Sequence, residues 1–315
     1  MLVSRIRQLV RSVRETPIVQ LSHPHLNLFA KLEYCNMSHS IKDRSALWIL
    51  LRAIERGEID PETTVVESSS GNFAVALAVY SRLLGLRFVP VVDPVISPLY
   101  EATLRCLCPR VEKVSEADDC GGYLKARLSV VQTLRRQLPR VFWPNQYQNT
   151  DAWMGHFDLT GKEIAEQLQR LHFLFVAVST GGTLAGLSRR LKERFPGLTV
   201  VAVDVEGSVI FGGPPRRRTI PGIGSSIVPG LLKEALVDDV VIVTEEESIA
   251  CCKRLLHEHH LFAGGSTGSV FAAIERRFAG HRGGRPDVLF LCADRGSAYF
   301  HNVYGDLWSA ERRDA

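Results

Sequence analysis

The stretch that decides the fold runs from residue 63 to residue 92. It reads Thr63-Thr64-Val65-Val66-Glu67, then Ser68-Ser69-Ser70-Gly71-Asn72, then an apolar run over 73–84 ended by Gly85, then Arg87-Phe88-Val89-Pro90-Val91-Val92. The first segment is short and β-branched, as a buried strand requires. Small polar residues break it. The helical run that follows stops at a glycine, and a second strand comes next. A second unit has the same plan: strand 172–178, the loop Ser179-Thr180-Gly181-Gly182-Thr183, helix 184–195 stopped by Pro196-Gly197, and strand 198–205. Strands alternating with helices predict an α/β chain with parallel sheets covered on both faces. Two such units about a hundred residues apart predict two domains with a cleft between them. The smaller is expected over 35–145, the larger over 1–34 and 146–315.

Composition agrees. The chain has 315 residues, 45% apolar and 23% charged, which excludes a disordered chain, a collagen or a coiled coil. A net charge of +4, with no long block of like charge, does not point to nucleic acid. No apolar run approaches the length of a membrane span. The first fourteen residues carry four arginines and read as an amphipathic helix rather than a signal peptide. Seven cysteines without a C-x-x-C pair fit a reducing compartment, so a cytoplasmic protein is expected.

Four segments carry chemistry. Ser179 to Thr183, placed before a helix, converges backbone N–H groups on one point and is either a phosphate cup or a plain tight turn. It has neither the P-loop lysine nor the G-x-G-x-x-G pattern. Lys42, one of only eight lysines against thirty arginines, follows Ser38-His39-Ser40-Ile41 and precedes the apolar run 46–54. Desolvation there would make its amine nucleophilic towards an aldehyde; alternatively it belongs to a surface charge pair behind a helix cap. Ser69-Ser70-Gly71-Asn72 is a carboxylate-binding turn or an ordinary cap. Gly264-Gly265-Ser266-Thr267-Gly268 again precedes a helical run.

The order of these segments is more specific than any of them. With Thr16-Pro17, Lys31-Leu32-Glu33-Tyr34-Cys35-Asn36, Asn145-Gln146 and Pro221-Gly222-Ile223-Gly224, it resembles the fold type II enzymes that use pyridoxal 5'-phosphate (PLP), such as cysteine synthase and cystathionine β-synthase. The resemblance spans nearly the whole chain. It implies the tryptophan synthase β-like architecture: two three-layer αβα domains, the cofactor in the cleft, and the smaller domain mobile. Val92-Asp93-Pro94, Ile96-Ser97-Pro98, Gly121-Gly122-Tyr123-Leu124, Asn145-Gln146-Tyr147, Gly207-Ser208-Val209-Ile210-Phe211-Gly212 and Asp294-Arg295-Gly296 are similar to one subfamily, the N-(2-amino-2-carboxyethyl)-L-glutamate synthases.

The resemblance implies a role for each matched residue. Lys42 corresponds to the lysine that forms the Schiff base with PLP and then moves the Cα proton. Asn72 corresponds to the asparagine on the cofactor's phenolic oxygen. Ser179, Thr180, Gly181, Gly182 and Thr183 correspond to the phosphate loop, and Ser266 to the serine at the pyridine nitrogen. A serine there leaves the ring a moderate electron sink, suited to losing a β-leaving group. Ser69, Ser70 and Gly71 correspond to the turn that grips the substrate carboxylate, helped by Gln146, with Gly222 nearby. Arg127 and Tyr147 are candidates for the anionic substrates, though Arg127 reads equally as part of a solvated helix face.

The implied reaction joins O-phosphoserine and glutamate by β-replacement, towards 2,3-diaminopropionate for a siderophore or an antibiotic. It implies small amino-acid substrates, a homodimer, no metal, no nucleic acid and no membrane. Cysteine synthase, a serine or threonine dehydratase and a catalytically silent PLP-fold binding protein are the competing expectations. Two departures matter. Where the family pattern reads Asn-Pro-Ser/Gly/Thr-Gly-Ser before the lysine, this chain reads Asn36-Met37-Ser38-His39-Ser40, with Met37 at the proline position and His39 at the glycine position. A histidine is tolerated at a positive φ only at a cost.

Overall fold

The computed structural model describes residues 1–117 and 122–305. Its contacts divide the chain into two compact units: Met1–Arg14 with Asn36–Gly155, and Glu15–Cys35 with His156–Ala315. The strands, in chain order, are β1 (Ile18–Leu21), β2 (Asn27–Leu32), β3 (Thr64–Ser68), β4 (Arg87–Val92), β5 (Glu112–Lys113), β6 (Val141–Phe142), β7 (Phe173–Ala177), β8 (Thr199–Val205), β9 (Asp239–Val243) and β10 (Asp287–Cys292).

The first unit holds a parallel sheet of order β5-β4-β3-β6. Its inner strand β3 is buried along its full length, which accounts for the β-branched run Thr64-Val65-Val66 in the sequence. Helices α1 (Leu2–Ser12), α2 (Lys42–Glu55), α3 (Asn72–Leu84), α4 (Pro98–Leu107) and α5 (Leu124–Gln137) belong to this unit. Helix α3 ends as its sequence predicts, with Gly85 in the left-handed region at φ 77°. α5 covers one face, with Val131 and Leu134 packed on Val66, Val89 and Val91.

Two boundaries differ from the expected division. Residues 1–14 pack with the smaller unit, because amphipathic α1 buries Ile6 and ties Arg7 to Glu55 (2.8 Å) and Arg5 to the Leu83 carbonyl (2.9 Å). Residues 146–155 do the same. Helix α6 (Asp151–Gly155) lies so close to α2 that a Cβ on Gly155 would stand 2.7 Å from that of Trp48, and Asp151 pairs with Arg56 at 2.7 Å.

The second unit holds a six-stranded sheet of order β1-β2-β10-β7-β8-β9. It is parallel except for β1, which returns antiparallel to β2 because residues 22–26 are too few for a crossover. A π-helical turn (His156–Gly161) leads into α7 (Lys162–Gln167), and α8 (Gly182–Arg194), α9 (Glu245–His259) and α10 (Gly265–Arg277) complete the unit. Strand β10 and helix α10 are the centre of its core, with Phe271, Ile274, Val288 and Phe290 all at 1% exposure or less. α9 opens with a complete capping box between Thr244 and Glu247. Among the described residues, no helix is long and apolar enough to cross a membrane.

Candidate active site

In the first unit, Lys42 is the first residue of α2, half-buried, with Asp43, Arg44 and Ser45 buried behind it. The loop before it is held by Asp43, whose Oδ2 accepts from the Ser38 amide (2.9 Å) and the Ser38 hydroxyl (2.8 Å). Burial raises the Asp43 pKa, while the Ser38 and Tyr80 hydrogen bonds oppose that rise. His39 adopts φ 64°, and its amide donates to the Asn36 carbonyl at 3.0 Å. The turn thus keeps a glycine-like conformation although the sequence has dropped the glycine. The histidine is exposed, so nothing but the backbone constrains it. His39→Gly is expected to stabilise the fold by about 1 kcal/mol, the lower end of the left-handed penalty for a residue with a Cβ. A urea unfolding midpoint measures it; an unchanged or lower midpoint would show that the side chain contributes something the turn needs.

The Ser68–Asn72 turn joins β3 to α3. The Ser69 amide bonds the Val91 carbonyl (3.1 Å), and the Ser70 hydroxyl donates to Asp93 Oδ2 (2.8 Å) while accepting from the Asp93 amide (3.0 Å). Arg127 comes to the same point from α5: its Nη1 donates to Ser70 Oγ (3.1 Å) and stands 3.3 Å from Asp93, and its buried Nε finds no partner among the described residues. So Arg127 does not lie on a solvated face. Asp93 was visible in the sequence only as part of a subfamily motif.

Among the described residues no side chain caps α3, so its first N–H groups face the turn. Asn72 Oδ1 accepts from the Tyr100 hydroxyl at 2.5 Å, a partner that nothing in the sequence signals. Beneath the turn, Glu67 is fully buried, accepting from the Ser68 amide (2.8 Å) and the Trp143 indole (3.2 Å). Burial pushes its pKa up to about 7 against these bonds and those of the Asn145 and Gln146 amides. Gln146 is buried and Tyr147 half-buried beside Asn145, which adopts φ 49°. Gly121 of the Gly121–Leu124 motif lies outside the described residues.

In the second unit, α8 starts two residues earlier than the sequence predicts, so Gly182 and Thr183 belong to its first turn. Gly181 caps it at φ 84°, and a Cβ there would stand 3.0 Å from the Leu232 amide. No side chain caps α8 either. Its first N–H groups and the positive end of its dipole form a cradle that fits a dianionic phosphate. The cradle is braced from two sides. Ser179 Oγ donates to the Gly224 carbonyl (3.3 Å), and Thr183 Oγ1 lies 3.2 Å from Nε2 of the buried His156. The π-helical turn supplies that histidine, which sequence periodicity did not flag.

α10 begins at Gly265, inside the segment that the sequence places before the helix, so Ser266 and Thr267 sit in its first turn, both buried. Thr267 Oγ1 is buried and finds no partner among the described residues. A Cβ on Gly264 would fall 1.9 Å from Asp294 Oδ1, and one on Gly265 2.2 Å from Ile220 Cγ2. Glycine is required at both by close approach. Gly222, at φ 91°, lies against the Tyr299 hydroxyl, which donates to Asp294 at 2.6 Å.

Two units, each built on a mainly parallel sheet, one with a lysine at a helix start and the other with a glycine loop opening a helix, define a class, and the comparisons agree. Residues 9–294 match the family described as pyridoxal-phosphate dependent enzyme. The chain belongs to that family, and PLP is its cofactor. It is 45% identical over 310 residues to the N-(2-amino-2-carboxyethyl)-L-glutamate synthase of Ralstonia nicotianae, covering 96% of this chain and 91% of that protein. It is 42% identical over 311 residues to the protein of the same name from Cupriavidus metallidurans, with the same coverage. Among solved structures, the O-acetylserine dependent cystathionine β-synthase of Helicobacter pylori superposes with a TM-score of 0.85 at 26% identity, over 96% of this chain and 98% of that one. The chain is therefore a fold type II PLP enzyme with two αβα domains.

Proposed function

We propose that this enzyme joins O-phospho-L-serine and L-glutamate into N-(2-amino-2-carboxyethyl)-L-glutamate, releasing phosphate, as a step towards 2,3-diaminopropionate. The observation that carries this is the similarity at 42–45% identity, over 96% of the chain, to two proteins bearing that synthase name. When bound, PLP withdraws electrons from the substrate's Cα and so permits loss of a β-substituent.

The chain's own residues do the rest. Lys42 holds the cofactor and then takes and returns the Cα proton. Ser179, Thr180, Gly181, Gly182 and Thr183 bind the cofactor phosphate at the α8 terminus. Ser266 meets the pyridine nitrogen with a neutral hydroxyl, and Asn72 meets the phenolic oxygen. Ser69, Ser70 and Gly71 hold the substrate carboxylate with Gln146, and the smaller unit carries this turn. Arg127 organises that turn through Ser70 and Asp93, and with Tyr147 it favours the anionic substrates. Gly222 leaves room beside them. The same reading makes the enzyme a cytoplasmic homodimer, which light scattering of the purified protein tests.

The deciding assay supplies O-phosphoserine with glutamate and detects the C–N-linked product by mass spectrometry, alongside phosphate release. Product formation with glutamate supports the proposal. Release of phosphate only with sulfide makes the protein a cysteine synthase, and release of pyruvate without any added nucleophile makes it a dehydratase.

A further inference from the structure

We propose that Tyr100 is a positioning residue that fixes which end of the Asn72 carboxamide faces the cofactor. This rests on the reading above, in which Asn72 meets the phenolic oxygen of PLP. A carboxamide has one donor end and one acceptor end, nearly identical in shape. A phenolic oxygen carrying negative charge accepts only, so only the amide N–H end can hold it. Turned the other way, Asn72 would present a carbonyl oxygen to that charge.

The Tyr100 hydroxyl selects between the two. It lies 2.5 Å from Asn72 Oδ1. In this pair the hydroxyl donates and the carboxamide oxygen accepts. With Oδ1 held by Tyr100, the N–H end points away from the tyrosine. The tyrosine is itself well placed. It is the third residue of α4, a ten-residue helix with proline in its first turn and a fully buried anchor at Leu104. Glu101, its neighbour, ties the helix to Lys113 at 2.7 Å. Asn72, for its part, opens α3, so its backbone does not follow its side chain.

The test compares Tyr100→Phe, Asn72→Ala and the double variant as PLP-loaded proteins. The readouts are the position and pH midpoint of the visible cofactor band, cofactor retention on dialysis, and thermal melting. Tyr100→Phe is expected to move the band in the same direction as Asn72→Ala. It should weaken PLP retention about fivefold, the effect of one ordinary hydrogen bond, without lowering the melting point of the cofactor-free protein. The double variant should resemble Asn72→Ala alone, since both changes act on one contact. If Asn72→Ala shifts the band and Tyr100→Phe does not, or the two effects add in full, Tyr100 has no positioning role while the reading of Asn72 stands. If neither variant moves the band, Asn72 does not meet the cofactor, and the inference falls with it.

Discussion

Lys42→Ala is expected to yield a folded protein without a visible cofactor band and with turnover reduced by at least about 10³-fold, the range general acid–base catalysis supplies. In the proposed function the lysine amine does two jobs, holding the cofactor covalently and moving the Cα proton, and alanine can do neither. Folding should survive. Lys42 is only half-buried at the start of α2, and Asp43 pins the loop before it through two bonds to Ser38. Absorbance spectroscopy and product assay on one preparation, with circular dichroism for the fold, measure this. Turnover within tenfold of wild type would remove Lys42 from the mechanism.

Lys31→Met should be the most damaging single change far from the proposed chemistry, costing about 3–5 kcal/mol, the penalty for leaving one member of a buried ion pair alone. Lys31 lies on β2 with no solvent exposure. Its ammonium donates to Glu163 Oε2 (2.8 Å), Gln167 Oε1 (2.9 Å) and the Thr16 carbonyl (2.8 Å). Thr16 extends the network, donating its hydroxyl to Glu33 at 2.5 Å. Methionine fills the volume but leaves the Glu163 carboxylate buried and uncompensated. The double variant Lys31→Met, Glu163→Leu should recover much of the loss, since a packed apolar pair is often as stable as the ions it replaces. Chemical denaturation of both variants tests this, and a Lys31→Met midpoint within experimental error of wild type would show that the pair contributes nothing.

That network also shows where sequence reading stops. Thr16-Pro17 and Lys31 to Asn36 were legible as segments of a family pattern, but nothing in their spacing says that a lysine, a glutamate 132 positions away and a threonine share one buried site. The α/β alternation was legible because burial of β3, β7, β8 and β10 demands short runs that are mostly apolar or β-branched, which a sequence displays directly. Helix starts were less so. Both α8 and α10 begin inside their glycine loops, because small residues allow helical turns without announcing them.

The sequence by itself determined the fold class and the order of the loops, and through the family resemblance the cofactor, since each depends on residue type at a place along the chain; Lys42 as the cofactor lysine is what that resemblance implies. His39 was likewise marked in advance as a conflict, and its positive φ follows from the turn it occupies. Only the tertiary structure decided that residues 1–14 join the smaller unit, that His156 braces Thr183, that Arg127 meets Ser70 and Asp93, and that Tyr100 meets Asn72. Each of these is a pairing of side chains from separate elements. Their meeting depends on how helices are seated on a sheet, and hydrophobic periodicity records which face is buried but not which polar groups meet at its edge.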